Sequence, residues 1–294
     1  MAHKAGFVNI VGRPNVGKST LMNALVGERL SIITSKAQTT RHRILGMVNE
    51  DDCQIVFSDT PGIIFDTQYG LHEAMMQFVQ SAFEDADLVL FITDIYENPD
   101  ELQPALDKVA LVEAPKFLLI NKTDQGKPDK LPQLRETWEK KGLFDRIFAI
   151  SALTGSGLPK LMNAIKAALP EHPPYYSKDE LTDKNERFFV SEIIREKILL
   201  NYQKEIPYST EVTIDAFTDK PDITVIRALI FVERESQKNI IIGKGGVALK
   251  KVGTEARQDI EAFLERKIFL ELHVKVREGW RNDPNTLKRF GYGS

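Results

Sequence analysis

Cysteine is nearly missing from this 294-residue chain: Cys53 is alone, so no internal disulfide can form and a disulfide-stapled scaffold is excluded. Histidine is sparse too, and His3, His42, His72, His172 and His273 share no metal-ligand spacing, which leaves no basis for a zinc site. No window approaches the roughly 18 uninterrupted apolar residues of a spanning helix, and Met1 to Phe7 has no signal-peptide core. The expected address is cytoplasmic, with peripheral association at the inner membrane face as a second address. Internal repeats and low-complexity tracts are also lacking. What is present is an ordinary globular mixture, 42% hydrophobic and 28% charged, which excludes a disordered chain. At about 150 residues per domain this length favours two domains, and nothing in it demands an obligate oligomer.

Charge divides unevenly. Residues through Asp179 carry 19 basic and 23 acidic side chains, net −4; Glu180 to Ser294 carry 20 and 19, net +1. Within the second part, Ser236 to Thr254 holds Lys238, Lys244, Lys250 and Lys251 and no acid, a local stripe suited to phosphates.

From Gly6 to Leu169, short apolar runs alternate with stretches of helical spacing, the pattern of parallel strands covered by helices. Strands are predicted at 7–11, 43–48, 54–58, 88–93, 116–120 and 146–150, with helices at 21–26, 73–83, 102–112, 131–140 and 158–168. Three prolines within Pro170-Glu171-His172-Pro173-Pro174 end this series. The expected domains are 1–172 and 184–294, joined by a Pro-rich linker over 173–183. Beyond the linker, a helix over 187–202, a hairpin of strands 209–217 and 223–232, and a third strand over 267–276 predict a smaller α+β domain. Leu249, Val252, Ala256, Ile260 and Phe263 recur at helical spacing and predict one buried stripe.

Gly12-Arg13-Pro14-Asn15-Val16-Gly17-Lys18-Ser19 fits the phosphate-loop pattern, after a predicted strand and before a predicted helix. Chance produces the pattern in about 1% of chains this long, so context makes it a firm reading. The loop amides of Gly12, Asn15, Val16 and Gly17 and the helix onset at Ser19 and Thr20 can cradle phosphates. Lys18 reaches the β and γ oxygens, and the Ser19 hydroxyl is a Mg²⁺ ligand. Asp59-Thr60-Pro61-Gly62 is weak by itself, but it follows the third strand, where Asp59 can serve Mg²⁺ and the Gly62 amide a γ-phosphate. Between the first helix and second strand, Thr39 and Thr40 both offer a hydroxyl to complete the ion's shell; Thr40 is preferred. The catalytic candidates are thus Lys18, Thr40 and Gly62, and the metal candidates Ser19, Thr40 and Asp59.

Asn121-Lys122-Thr123-Asp124 ends the fifth strand and Ser151-Ala152-Leu153 the sixth. Asp124 can accept from the guanine N1 and N2 donors, Asn121 can bond the base edge, and the Lys122 stem can cover its plane. A backbone amide near Ala152 would serve O6, which selects guanine over adenine.

In this order the motifs resemble the translation-factor-related P-loop GTPases over residues 6–169. With Thr39-Thr40-Arg41-His42-Arg43 and the later Gly243-Lys244-Gly245-Gly246, the resemblance narrows to the Era family of bacterial ribosome-assembly GTPases over nearly the whole chain. That resemblance implies a mixed α/β P-loop GTPase sheet covered by helices, followed by a smaller α+β type II KH domain. It further implies GTP/GDP and Mg²⁺ as cofactors, and small-subunit ribosomal RNA near its 3′ end and the 30S subunit as partners. Similar GTPases with an asparagine at the position of Asn15 bind K⁺; loop geometry is the competing account of that residue.

Ile63 stands where many small GTPases place a water-orienting glutamine, so unassisted turnover should be slow. In KH domains a Gly-x-x-Gly turn admits a nucleotide backbone while apolar neighbours receive bases. The RNA-binding candidates are accordingly Lys238, Ile242, Gly243, Lys244, Gly245, Gly246, Lys250 and Lys251. Three activities compete: a GTP-driven switch that assists 30S assembly, an RNA-binding assembly chaperone with a nearly silent nucleotide site, and a nucleotide-regulated membrane-surface protein. Lack of a strong amphipathic membrane helix weighs against the third.

Overall fold

The computed structural model describes residues 2–126 and 130–293. These residues form two units, 2–67 with 75–126 and 130–183, and 68–74 with 184–293.

In the first unit the chain runs β1 (Lys4–Val11), α1 (Lys18–Val26), β2 (Ile44–Asn49), β3 (Cys53–Asp59), α2 (Gly70–Glu84, whose first turn clusters with the second unit) and β4 (Leu88–Asp94). It continues with α3 (Gln103–Ala110), β5 (Lys116–Asn121), α4 (Lys130–Lys140), β6 (Arg146–Ala149) and α5 (Leu158–Ala168). The sheet order is β2-β3-β1-β4-β5-β6, all parallel except β2, which pairs antiparallel with β3. Every residue of β3 and β4 is buried, as unalternating runs in a sheet covered on both faces require. A cluster built on Val89, Phe91, Leu118, Leu106 and Trp138 fills one side. Strand order reverses at β1, so the crevice for a ligand lies beyond its carboxyl end.

The segment expected as a linker lies along this same sheet. The Met47 amide donates to the Leu181 carbonyl at 2.8 Å, the Leu45 amide to Asp183 Oδ1 at 3.0 Å, and the Tyr175 ring lies 4.9 Å from Phe7. It thereby covers the exposed side of edge strand β2, a common protection against unwanted strand pairing.

The second unit contains α6 (Glu186–Asn201), β7 (Glu211–Asp219), β8 (Thr224–Val232), α7 (Glu235–Ile242), α8 (Val247–Leu264), β9 (Ile268–Val276) and α9 (Pro284–Arg289). β7 and β8 are an antiparallel hairpin; β9 joins β8 in parallel, which needs a long crossover, here α7 and α8. The α8 stripe holds at Val252, Ala256 and Ile260, all buried, while Phe263 is 38% exposed and lies 5.3 Å from Phe189. Composition hid α7 and α9: each spans only two turns, too short for a periodic pattern to stand out. Among the described residues no helix is long and apolar enough to cross a membrane.

Trp280 is fully buried, donates from Nε1 to the Ser209 carbonyl at 3.1 Å and packs edge-on against Phe290. Tyr292 donates to Glu211 Oε2 at 2.7 Å. The carboxyl-terminal tail is therefore part of this unit's core. Trp280→Ala should remove about 3–5 kcal/mol from the second unit, the usual cost of emptying a buried tryptophan site. Urea unfolding followed by circular dichroism measures it; a loss below about 1 kcal/mol would refute the core role.

Candidate functional site

At the carboxyl end of β1 the chain turns through Gly12 to Gly17 and enters α1 at Lys18. Gly17 has φ 103°, and a Cβ there would stand 2.3 Å from the Asn121 amide nitrogen, so both dihedral and space demand glycine. Asn15 is also left-handed, φ 66°, a region asparagine tolerates. No side chain caps the amino end of α1 and its first turn has no acid, so those amides face the crevice uncompensated. Lys18 is buried, donating to the carbonyls of Gly12 at 3.2 Å and Arg13 at 2.8 Å. Burial lowers its pKa to about 8, against the opposing pull of Asp59 and Glu97.

Ser19, Thr40 and Asp59 meet beside it. Ser19 Oγ donates to Asp59 Oδ2 at 2.7 Å and lies 2.8 Å from Thr40 Oγ1; Thr40 Oγ1 is 3.3 Å from the same carboxylate oxygen. The remaining oxygen, Asp59 Oδ1, is buried without a hydrogen bond. Desolvation pushes the Asp59 carboxyl up, against the Lys18 charge and the Ser19 hydroxyl. Two hydroxyls and one carboxylate with an orphaned oxygen suit a hard cation that takes its other ligands from phosphates and water, the habit of Mg²⁺. No group of three His, Cys, Asp or Glu among the described residues offers a competing metal site. Thr39 instead holds its own loop together, donating to the Lys36 carbonyl at 2.6 Å.

Gly62 approaches the phosphate loop so closely that a Cβ would meet Pro14 at 2.7 Å. The next side chain, Ile63, points into the core. The crevice is a cavity of about 140 Å³, lined by Lys18, Ser19, Thr20, Thr40 and Gly62 and also by Ile33. Residues 32–40 line one side of it. Ile32, Ile33 and Gln38 in this strap escaped the sequence reading because they belong to no motif.

The base motif is bolted to the phosphate loop. Asn121 Nδ2 donates to the Val16 carbonyl at 2.8 Å, and Lys122 Nζ to the Asn15 carbonyl at 2.7 Å. Asp124, exposed, accepts from Ser151 Oγ at 2.6 Å through Oδ1. Asn121 is a clamp with both ends of its amide engaged, because the Ala152 amide donates to Asn121 Oδ1 at 2.9 Å. Leu153 follows at 74% exposure.

In the second unit, α7 ends at Ile242 and the chain passes through Gly243, Lys244, Gly245 and Gly246 into α8. Gly245 and Gly246 have φ 62° and 78° with open space around them, so the glycines are there for the dihedral and leave the backbone approachable. Lys244, Lys250 and Lys251 are exposed and Ile242 partly so. Two of the four lysines already have acidic neighbours, Lys238 with Glu235 at 3.7 Å and Lys251 with Glu255 at 3.8 Å.

Comparison with known proteins adds independent findings. Residues 7–122 match the family described as 50S ribosome-binding GTPase, and residues 205–281 match the KH domain. GTPase Era of Syntrophus aciditrophicus is 46% identical over 98% of this chain and 95% of its own length. The chloroplastic GTPase ERA1 of Zea mays is 43% identical over 99% of this chain and 71% of its own. A crystal structure of Era with MgGDPNP and nucleotides 1506–1542 of 16S ribosomal RNA superposes with TM-score 0.94 at 40% identity, covering 99% of this chain and all of that one. A single-site variant of Aquifex aeolicus Era bound to GDP and AlF4⁻ has the same TM-score, identity and coverage.

The depressed Lys18 pKa has a measurable sign. In the free protein its charge is lost as pH rises through about 8, and bound phosphates would restore it. Affinity for a nucleoside diphosphate should therefore fall between about pH 7 and pH 9, with proton uptake on binding at the upper end. Calorimetry in two buffers of different ionisation enthalpy reads that uptake; equal heats and flat affinity would contradict a buried, depressed Lys18.

Proposed function

Because this chain belongs to the Era family of GTPases, we propose that its first unit works as a guanine-nucleotide switch through the residues gathered at the β1 crevice, and its second as the RNA-binding arm. The observation that carries the nucleotide site is the Ser19, Thr40 and Asp59 cluster with its orphaned buried oxygen. These three would hold Mg²⁺, which supplies positive charge to the phosphate oxygens. Lys18 neutralises the β and γ oxygens, and the amides at the start of α1 add the helix's positive end. The Gly62 amide senses the γ-phosphate, and Thr40 brings the 32–40 strap down with it. Hydrolysis of GTP to GDP and phosphate releases both. Ile63 offers no hydrogen bond to water, so positioning must come from elsewhere and unassisted turnover is slow.

Asp124 selects the base. Asp124→Asn replaces an acceptor by an amide and should shift preference from GTP toward xanthosine triphosphate by at least about tenfold, since unpaired polar groups in such a site are strongly rejected. Competition binding checks it; unchanged GTP preference would defeat the assignment.

The relative crystallised with 16S nucleotides 1506–1542 supports the same ligand class for this second unit, single-stranded small-subunit RNA near its 3′ end. The large-subunit wording of the GTPase family belongs to a match that stops at residue 122, ahead of the KH match. The glycine turn lets the sugar-phosphate backbone approach, with Lys244 and Lys250 neutralising charge and Ile242 contacting a base. In the cytoplasm this makes the protein an assistant of 30S subunit assembly. Lys244→Asp with Gly245→Asp should weaken RNA binding at least about tenfold and leave GDP affinity intact, because one positive charge is reversed and a second negative charge is added at the turn and none is changed at the crevice. Filter binding with a 16S 3′-end fragment is the measurement; undiminished RNA affinity would count against this turn as the contact.

A further inference from the structure

Each strand end on the carboxyl rim of the first sheet carries an assigned motif except β4, where Asp94-Ile95-Tyr96-Glu97 follows. Both of its carboxylates are largely desolvated, with 8% and 13% of their side-chain surfaces exposed. Each divides its two oxygens in the same way. Asp94 Oδ1 accepts the amides of Tyr96 at 2.8 Å and Glu97 at 3.1 Å, shaping the turn, while Oδ2 accepts from Lys122 Nζ at 2.7 Å. Glu97 Oε2 accepts from Thr93 Oγ1 at 2.8 Å, while Oε1 faces Arg13 Nε at 3.6 Å.

The two cations so held both belong to the nucleotide crevice. Arg13 is part of the phosphate loop, and Lys122, from the guanine motif, also donates to that loop at the Asn15 carbonyl. We infer that Asp94 and Glu97 are positioning residues that hold the phosphate loop and the guanine motif in register, Asp94 through Lys122 and Glu97 through Arg13. Neither touches the nucleotide. Their effect is preorganisation: a ligand spanning both subsites finds them already aligned, the Lys122–Asp94 tie being the closer and less exposed of the two, while Arg13 is 39% exposed.

Because the inference rests on the nucleotide site proposed above, the experiment must separate the two. Release of fluorescently labelled GDP is timed for the full chain and for Asp94→Asn, Glu97→Gln, Lys122→Met, Arg13→Gln and the two paired double variants, with circular dichroism confirming the fold. Asp94→Asn and Glu97→Gln should each speed release about tenfold, and each effect should vanish in its partner's background, Lys122→Met or Arg13→Gln, as a shared interaction requires. Unchanged release in both single variants, or effects that persist undiminished in the partner backgrounds, would overturn the positioning role. The Arg13 and Glu97 cycle stands by itself if an Asp94 variant fails to fold. Failure of the unmodified protein to bind labelled GDP would instead sink the nucleotide site.

Discussion

A buried ammonium and a buried carboxylate, Lys18 and Asp59, sit close enough in the β1 crevice to shift each other's protonation, and much else follows from keeping them there. Desolvation opposes both charges. Lys18 is compensated by two carbonyls of its own loop, Asp59 by the hydroxyls of Ser19 and Thr40 and by the Lys18 charge, and its Oδ1 makes no hydrogen bond. Such a site is incomplete by construction. On the proposed function, phosphates and a hard cation would complete it, which would make nucleotide binding a relief of electrostatic deficit as well as a gain of contacts.

The rest of the first unit serves to hold that deficit open. β3 and β4, buried along their whole length, deliver Asp59 and the Asp94 turn to one rim, and Asn121 and Lys122 tie β5 to the loop after β1. Rigid strands make these placements exact enough for chemistry. The 32–40 strap reaches Ser19 and Asp59 through the hydroxyl of Thr40 and lines one side of the cavity. An element that meets the phosphate site through one hydroxyl is one whose position ligand phosphates can reset.

The second unit solves a different problem with glycine. Its first helix, hairpin, crossover helices and third strand form a core around Val252, Ala256, Ile260 and Ile230, from which the Gly243–Gly246 turn projects without side-chain bulk. A backbone open to a nucleic-acid chain and a few lysines at its margin form a surface that reads shape and charge. With Lys238 and Lys251 already neighboured by acids, Lys244 and Lys250 carry most of the available charge.

Motif chemistry was open to reading from residue order, because Gly17, Lys18, Ser19, Asp59 and Asp124 act through groups local to their own turns. Strands 88–94 and 116–121 were equally legible, since burial on both faces leaves an uninterrupted apolar run. Short helices such as Glu235–Ile242 were not, because two turns hold too few residues to display a period. Nor was the use of Asn121 as a clamp, the lodging of residues 173–183 along β2, or the pairing of Asp94 and Glu97 with Lys122 and Arg13. By itself the sequence determined which phosphate chemistry and which base this protein can handle, as those depend on residue type at fixed local spacing. Only the tertiary structure decided which side chains carry each other's charge, because partners 28 or 84 residues apart meet solely through the packing of parallel strands whose order the chain does not spell out.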